Sequence, residues 1–376
     1  MSNMKIPKNR IRRLRTFALG KGECEFTIEN HKNLIDLCSN DYFGLSRDID
    51  IINAAYETSI LEGLGSGSSR FISGSRPVHK SLEKRLCEWL GYDYVLLFPS
   101  GFQANIAAVQ GLVDRNSLVI ADKLIHNSLL TGVSASGAKL IRFLHNDPID
   151  LEYKLAKFSD SKKSILVIIE SIYSMEGTLA PLKEIIEICK KHNARLLVDE
   201  AHALGILGPS GKGLCHQFSE NITMISGTFG KSFGSGGAFL ACKKVIGEKL
   251  IQTSNPFRYT TALSPSLTAG ALKALDKIEH NNWGKEILDL SKKWREEIKK
   301  IGKYKIQGEY HILSIMIGDE NETMRLQQHL EEKGFLAIAI RPPTVQIGKS
   351  RIRITIRKTL TGKILKKFIE ALRSYK

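Results

Sequence analysis

The chain has 376 residues, of which 42% are apolar and 25% charged, as expected for a globular protein with a large domain and a smaller one. No apolar run is long enough to span a bilayer, and the first residues lack the apolar core of a secretion signal, so the sequence favours a cytoplasmic protein. The net charge of +16 suits nucleic acid, an acidic protein partner or an anionic substrate, but many of the lysines fall in amphipathic helical patterns. Charge alone therefore does not choose a function.

The cysteines are spread along the chain without a C-x-x-C pair, at positions 24, 38, 87, 189, 215 and 242. This spacing predicts reduced thiols rather than disulfides or a zinc site. The H-E-x-x-H pattern of zinc enzymes is also missing, so no metal is expected.

The segment 1–47 is predicted to be an N-terminal arm. It carries a short helical run of arginines, which are either solvated or hold an anionic substrate: Arg10, Arg12, Arg13 and Arg15. A hairpin-like pair of strands is predicted at 24–29 and 33–38. A helix is predicted over 48–62. The Gly/Ser-rich run 63–75 also contains Arg, Phe and Ile, which favours a compact loop in a closed site over a flexible linker.

Helices and strands alternate through residues 48–250, the predicted large domain. Its strands are predicted at 93–98, 117–121, 139–144, 164–170, 195–199, 221–226 and 236–242. Seven strands with helical crossovers predict an α/β fold, with a mostly parallel sheet covered on both faces and ligands bound at the carboxyl ends of the strands. Residues 251–376 are predicted to form a smaller α+β domain.

Lys231 lies in the glycine-rich stretch T-F-G-K-S-F-G-S-G-G (228–237), between two buried strand candidates. A lysine shielded from water in such a loop loses its proton easily, as a Schiff-base lysine must. A phosphate-binding P-loop is excluded because it needs a glycine where Ile225 stands, and a G-x-S-x-G nucleophile elbow needs a helix where strand 236–242 is predicted. A glycine-rich turn with an unrelated lysine remains open at this point.

The sequence D-E-A-H (199–202) follows another apolar strand. A helicase with this box needs an upstream P-loop, which the chain lacks. The other interpretation is a carboxylate that keeps a pyridinium nitrogen protonated, with a histidine one turn later that bonds a ring hydroxyl. A phosphate would then bind the amides of Gly101 and Phe102 at a helix start, with help from Thr228.

Seven motifs in order resemble the α-oxoamine synthases, which are pyridoxal 5'-phosphate (PLP) enzymes of fold type I. The motifs are C-S-N-D-Y-F-G-L-S (38–46), P-S-G-F-Q-A-N (99–105), A-D-K-L-I-H-N-S (121–128), H-N-D (145–147), E-S-I-Y-S-M-E-G (170–177), D-E-A-H (199–202) and T-F-G-K-S-F-G (228–234). The resemblance covers nearly the whole chain.

This resemblance implies catalytic roles for residues at the predicted strand ends. Lys231 would carry the cofactor and later move the substrate's Cα proton, and Asp199 would pair with the pyridinium nitrogen. His126 would stack on the ring and contact the substrate. His202 and Ser174 would bond the ring hydroxyl.

The resemblance also assigns the phosphate to Gly101, Phe102 and Thr228. Thr260 or Thr261 would reach the phosphate of a partner subunit, which implies a homodimer with shared sites.

The expected substrate residues lie towards the two chain ends. Arg341 would grip the amino-acid carboxylate and Thr344 would touch the substrate, while Asn40 would line the site. Arg12 or Arg13 would meet the acyl substrate.

The form R-P-P-T-V (341–345) favours the branch of this family that condenses L-alanine with a pimeloyl thioester in biotin biosynthesis. The thioester would be carried by coenzyme A or by acyl carrier protein. The alternative within the family is a glycine C-acetyltransferase. An alternative of another class is a basic nucleic-acid-binding protein without a cofactor.

Overall fold

The computed structural model describes residues 7, 10–28, 32–158 and 163–375. Two predictions fall on residues outside these ranges. One is the lack of a signal core in residues 1–6, and the other is the end of the predicted strand 24–29 at residue 29. The chain forms two compact units. The large unit consists of Leu45–Ser174 and Leu179–Lys285, and the small unit of Met1–Gly44, Met175–Thr178 and Glu286–Lys376.

The strands of the described chain are β1 (Ala18–Leu19), β2 (Glu25–Ile28), β3 (Lys32–Asp36), β4 (Tyr94–Phe98), β5 (Leu118–Asp122), β6 (Lys139–Phe143), β7 (Ile165–Glu170), β8 (Arg195–Asp199), β9 (Met224–Thr228), β10 (Ala238–Cys242), β11 (Lys305–Gln307), β12 (Ile312–Gly318), β13 (Phe335–Leu336), β14 (Ile338–Ile340) and β15 (Ser350–Thr355).

The α-helices are α1 (Ile49–Glu62), α2 (Pro77–Leu90), α3 (Gly101–Leu112), α4 (Asn127–Ser136), α5 (Pro148–Ala156), α6 (Leu182–Lys191), α7 (Lys244–Thr253), α8 (Asn255–Arg258), α9 (Pro265–Glu279), α10 (Trp283–Lys299), α11 (Glu320–Glu332) and α12 (Gly362–Ser374). None of the helices in the described ranges combines the length and apolar character needed to cross a membrane.

A seven-stranded sheet organises the large unit, in the order β4-β10-β9-β8-β7-β5-β6. The pairs from β9 to β6 are parallel, whereas β10 runs antiparallel to both of its neighbours. Strands such as β5 and β7 are buried along their whole length, because helices cover both faces. The predicted mostly parallel α/β sheet is therefore confirmed.

Local signals fix the helix starts beside the carboxyl ends of these strands. Ser100 caps α3, its Oγ accepting the Gln103 N–H at 3.3 Å. His126 caps α4 with its ring, so this helix starts at Asn127.

The small unit contains two four-stranded sheets, in the orders β1-β2-β3-β13 and β11-β12-β15-β14. The predicted hairpin is the antiparallel pair β2–β3. β13 and β14 are separated only by Ala337 but belong to different sheets, because β13 pairs with β3 and β14 pairs with β15.

The predicted helical run of N-terminal arginines is wrong, because residues 11–17 form no helix. Two of these arginines instead form ion pairs with different carboxylates of the small unit. The Arg10 Nε donates to Glu320 at 2.9 Å, and Arg15 donates to Glu331 at 2.7 and 2.8 Å. An extended chain satisfies these separate ion pairs, whereas a helix would place the like charges three residues apart beside one another.

Candidate active site

A cavity of about 190 Å³ opens in the large unit at the carboxyl ends of β7, β8 and β9. The starts of α3 and α4 complete its wall. It is lined by Gly101, Phe102, Asn105, His126, Ser128, Glu170, Asp199, Ala201, His202, Thr228 and Lys231. Most of the predicted catalytic and cofactor residues are therefore brought together in one cavity.

Lys231 sits in the turn that connects β9 to the antiparallel β10. The turn is closed by hydrogen bonds from the Phe229 N–H to the Gly237 carbonyl and from the Gly234 N–H to the Lys231 carbonyl, both 2.9 Å. Gly234 has a φ of +60°, and a Cβ there would lie 2.2 Å from the Ser46 nitrogen, so only glycine fits. Two buried strands thus hold the backbone of the lysine.

The Lys231 Nζ lies 2.8 Å from the His202 Nε2. Two nitrogens at this distance form a hydrogen bond only if one of them donates and the other accepts. Either the Lys231 amine is neutral or the His202 Nε2 carries no proton. The contact brings a proton acceptor within reach of the lysine, which suits a residue that must give up and regain a proton.

Asp199 ends β8 and is almost fully buried. Its Oδ2 accepts the Asn105 Nδ2–H at 2.8 Å, and its Oδ1 accepts the Ala201 N–H at 2.9 Å. These donors hold the carboxylate in one orientation at the cavity floor.

Glu170 ends β7 directly beside Asp199 in the sheet register. Burial raises the pKa of Glu170 well above its ordinary value and the charge of Asp199 raises it further, while Lys231 and the backbone N–H groups of His126 and Ser174 oppose the rise. Its Oε1 has no hydrogen-bond partner among the described residues. Burial and the neighbouring charge of Asp199 therefore favour the protonated form of Glu170.

His126 lines the cavity and is partly exposed to solvent. Its Nδ1 lies 2.7 Å from the Ser128 Oγ and accepts the Ser128 backbone N–H at 3.3 Å. Partial burial lowers the pKa of His126, and Lys231 lowers it further, whereas Asp199 acts in the opposite direction.

The start of α3 is suited to an anion. Ser100 already accepts the Gln103 and Ala104 N–H groups, and no partner is found within the described chain for the N–H groups of Gly101 and Phe102. Thr228 faces Gly101, where a Cβ would lie 3.7 Å from the Thr228 Cβ. A helix start with free amides, close to a threonine hydroxyl, is a favourable phosphate site.

The cavity fits PLP by its own chemistry. It holds a lysine for the aldehyde, a buried carboxylate for the ring nitrogen and free helical amides for the phosphate. Buried polar atoms without a partner also border it, namely the Asn105 Oδ1 and the Glu170 Oε1. Among the described residues, no group of three or more His, Cys, Asp or Glu side chains is arranged to hold a metal ion.

Three predicted cofactor residues do not line this cavity. Ser174 follows β7, where its backbone N–H faces Glu170. Thr260 and Thr261 lie in the segment between α8 and α9, with Thr261 exposed and the Thr260 hydroxyl 3.4 Å from the Thr261 carbonyl oxygen.

Apart from His126, the predicted substrate residues belong to the small unit. Arg12, Arg13, Arg341 and Thr344 line a groove of about 770 Å³. The Arg12 Nη2 donates to the Thr344 Oγ1 at 2.7 Å, and the Arg341 Nη2 donates to the Ile11 carbonyl at 3.1 Å. The Nε of Arg341 is buried and has no partner in the described part of the chain.

Asn40 lies elsewhere in this unit, where its Oδ1 accepts a hydrogen bond of 3.1 Å from the buried Arg353. Sequence reasoning missed Arg353, although the alternation of R-I-R on β15 places two arginines on one face. It also missed Asn105 and Ser128 as cavity residues. Asn105 stands one helical turn after Gly101, which is a signal for a shared face.

Comparisons with known proteins identify the family of the chain. Residues 32–372 match the family model described as aminotransferase class I and II. The chain is 36% identical over 355 residues to an 8-amino-7-oxononanoate synthase of Alkalilimnicola ehrlichii, covering 93% of this chain and 90% of that one.

Solved structures show the same fold. A serine palmitoyltransferase from S. paucimobilis, solved with bound PLP, is 28% identical with a TM-score of 0.90, over 96% of this chain and 92% of that one. An 8-amino-7-oxononanoate synthase from Francisella tularensis is 26% identical with a TM-score of 0.77, over 90% of this chain and 97% of that one.

The fold and the cavity define a PLP-dependent transferase of fold type I. The chain belongs to the aminotransferase class I and II family and, within it, to the acyltransferases known as 8-amino-7-oxononanoate synthases.

Proposed function

We propose that this enzyme condenses L-alanine with a pimeloyl thioester, releasing carbon dioxide and the free thiol and forming 8-amino-7-oxononanoate. The observation that carries the proposal is the contact of 2.8 Å between Lys231 and His202, in a cavity that also holds Asp199. The substrates follow from the R-P-P-T form at 341–344 and from the names of the relatives.

When bound, PLP supplies an electron sink for the negative charge that develops at the amino acid's Cα. Lys231 removes the Cα proton with its neutral amine and returns a proton to the product. His202 keeps the amine within hydrogen-bond reach. It would bond the ring hydroxyl of PLP together with Ser174, which follows β7 but is not among the residues that line the cavity. Asp199 holds a proton on the ring nitrogen, since its carboxylate is fixed by Asn105 and the Ala201 N–H.

The remaining cavity residues bind rather than move protons. The amides of Gly101 and Phe102 hold the phosphate with the Thr228 hydroxyl, because the helix start concentrates partial positive charge there. His126 would stack on the ring of bound PLP and contact the amino acid. These interactions orient the Cα–H bond towards Lys231.

A second set of residues is proposed to bind the carboxylates of the substrates. Arg341 binds the amino-acid carboxylate through its buried, unpartnered Nε, and Thr344 contacts the substrate beside it. Arg12 or Arg13 meets the acyl chain, whose far end is a second carboxylate. Asn40, held by Arg353, lines the amino-acid site.

Two copies of the chain associate through an apolar face of α1. Ile49, Ile52, Tyr56 and Ile60 are exposed at helical spacing along this face. The loop that follows α1 is hydrogen-bonded to the segment carrying Thr260 and Thr261, through the Ala262 N–H to Ser68 carbonyl bond of 2.9 Å. A partner on this face would therefore lie beside the two threonines, which contact its phosphate.

The dimer can be tested by measuring mass in solution. Ile60→Lys is expected to yield a monomer that binds PLP more weakly. Ile149→Lys, at an exposed isoleucine on α5, serves as the control and should leave the mass unchanged. A dimer that survives the first substitution would contradict this interface.

The reaction is tested with purified holoenzyme, L-alanine and pimeloyl thioester, against glycine and acetyl thioester, by mass spectrometry of the amino-ketone. We expect at least about a tenfold preference in kcat/KM for the first pair, the discrimination that buried carboxylate and methyl contacts provide. A preference for glycine and the acetyl donor would move the enzyme to the glycine C-acetyltransferase branch.

The net charge of +16 favours a donor carried by an acidic carrier protein over coenzyme A. Steered association of oppositely charged proteins weakens with salt. Activity with the carrier-bound donor should therefore fall with salt more than activity with the coenzyme A thioester, and equal salt responses would contradict this preference.

A further inference from the structure

The orientation of the Asn105 amide is set by Asp199. The Asn105 Nδ2 lies 2.8 Å from the Asp199 Oδ2, and an ionised carboxylate oxygen can only accept. The atom facing Asp199 must therefore be the amide nitrogen. Asn105 and Ser128 are both buried, so this geometry is shielded from exchange with water.

The second hydrogen of the same amide nitrogen points to Ser128. The Asn105 Nδ2 lies 2.9 Å from the Ser128 Oγ, which accepts it. The hydroxyl's own hydrogen is then left for its other close neighbour, the His126 Nδ1 at 2.7 Å. The chain of donors thus runs from Asn105 through Ser128 to His126.

A backbone donor independently fixes the role of the His126 Nδ1. The Ser128 N–H points at this atom at 3.3 Å, and a backbone N–H cannot accept. A proton on Nδ1 would face this donor, so Nδ1 is an acceptor. The ring proton of neutral His126 must then lie on Nε2, on the edge away from the start of α4.

We propose that Asn105 and Ser128 are positioning residues that hold His126 as its neutral Nε2–H tautomer, so that the cavity presents a fixed hydrogen-bond donor to an oxygen of the bound amino acid. The inference rests on the proposed function only for the identity of that amino acid. Protonating His126 would require Nδ1 to lose both of its donors. The other titratable groups that line the cavity are Glu170, Asp199, His202 and Lys231.

The tautomer is measured directly on ¹⁵N-histidine-labelled holoenzyme by long-range ¹H–¹⁵N correlation spectra. The His126 signals are assigned from their loss in His126→Gln. We expect an unprotonated Nδ1 and a protonated Nε2 across neutral pH. A protonated Nδ1 in the unaltered holoenzyme overturns the proposal before any substitution of Asn105 or Ser128.

Two substitutions test the donor chain. Ser128→Ala leaves the His126 Nδ1 with only the longer backbone donor, so a mixture of both tautomers is expected. The KM for L-alanine should rise about tenfold, whereas kcat should change less than about threefold. Asn105→Leu should shift the His126 signals the same way, and the double variant should shift them no further, because the two residues act in series.

Ser134→Ala is the matched control, since Ser134 is exposed on the same helix. Native His126 signals in both Ser128→Ala and Asn105→Leu would refute the chain of donors. The spectra are recorded without either substrate, so they test the tautomer independently of the reaction. A holoenzyme that has the expected tautomer but forms no 8-amino-7-oxononanoate would refute the proposed function and leave the tautomer proposal intact.

Discussion

His79 makes the stability of the large unit depend on pH. It is fully buried in α2, where its Nδ1 accepts the Arg76 N–H at 2.9 Å and its Nε2 donates to the Leu263 carbonyl at 2.7 Å. A protonated ring could not accept from Arg76. Burial lowers the pKa of His79 to about 4, with the charges of Arg70 and Arg76 acting in the same direction and the Leu263 carbonyl opposing.

The sign of the effect follows from the lowered pKa. The unfolded chain, with a histidine pKa of 6.5, binds the proton before the folded chain does. The contribution of His79 is therefore complete above pH 6.5, is lost as the pH falls, and is gone below a pH of about 4. At about 1.4 kcal/mol per pKa unit, the full loss is about 3 kcal/mol, of which about 2 kcal/mol has occurred by about pH 5.

The assay is reversible urea unfolding of holoenzyme at one protein concentration, followed by far-ultraviolet circular dichroism between about pH 7.5 and pH 5. Other groups titrate as well, so the native protein is compared with His79→Gln, whose free energy of unfolding should fall less on acidification by about 2 kcal/mol. His280→Gln, at an exposed histidine, is the control. Parallel curves for the native protein and His79→Gln would refute the reasoning.

Three further outcomes are expected. Lys231→Ala should lower product formation, followed by mass spectrometry, by about a thousandfold or more, because the base at Cα is lost; a normal rate would rule out its role. Arg341→Lys should raise the KM for L-alanine about tenfold at unchanged melting temperature, since the ammonium cannot form the two-pronged contact, and an unaltered KM would argue against this assignment. Gly213→Ala should lower the free energy of unfolding by more than about 2 kcal/mol, because its Cβ would lie 1.9 Å from a Glu200 oxygen at a φ of +82°, whereas Gly302→Ala, in open space at a φ of +75°, should cost about 1 kcal/mol. Equal losses for the two glycines would contradict the predicted clash.

The strands of the large sheet are predictable because each is a short apolar run bounded by polar residues. Ile165–Glu170 shows this directly, since both of its faces are covered. The order of strands is not predictable in this way. An antiparallel strand such as Ala238–Cys242 has the same local sequence character as its parallel neighbours, and only its pairing with β4 and β9 distinguishes it.

Some site residues can likewise be predicted from the local sequence, and others cannot. Lys231, Asp199 and His202 follow predicted strands, so local pattern is enough to select them. Asn105 becomes important through a hydrogen bond to Asp199, which is 94 positions away. Pairings of that range leave no periodic signal.

The error at the N-terminus has the same origin. Arg10 and Arg15 pair with Glu320 and Glu331, more than 300 positions along the chain. A local reading of the arginine spacing cannot anticipate partners that distant, and these ion pairs, rather than helix formation, determine the path of the segment.

The position of β10 also has a consequence for synthesis on the ribosome. β4 lies at the edge of the sheet and its sole strand partner in the described chain is β10. β10 is translated about 140 residues later, which takes roughly 10–30 s at the usual rate of elongation. For that interval the apolar segment Tyr94–Phe98 has no strand partner. The nascent chain should therefore depend on chaperone binding until Cys242 has left the exit tunnel.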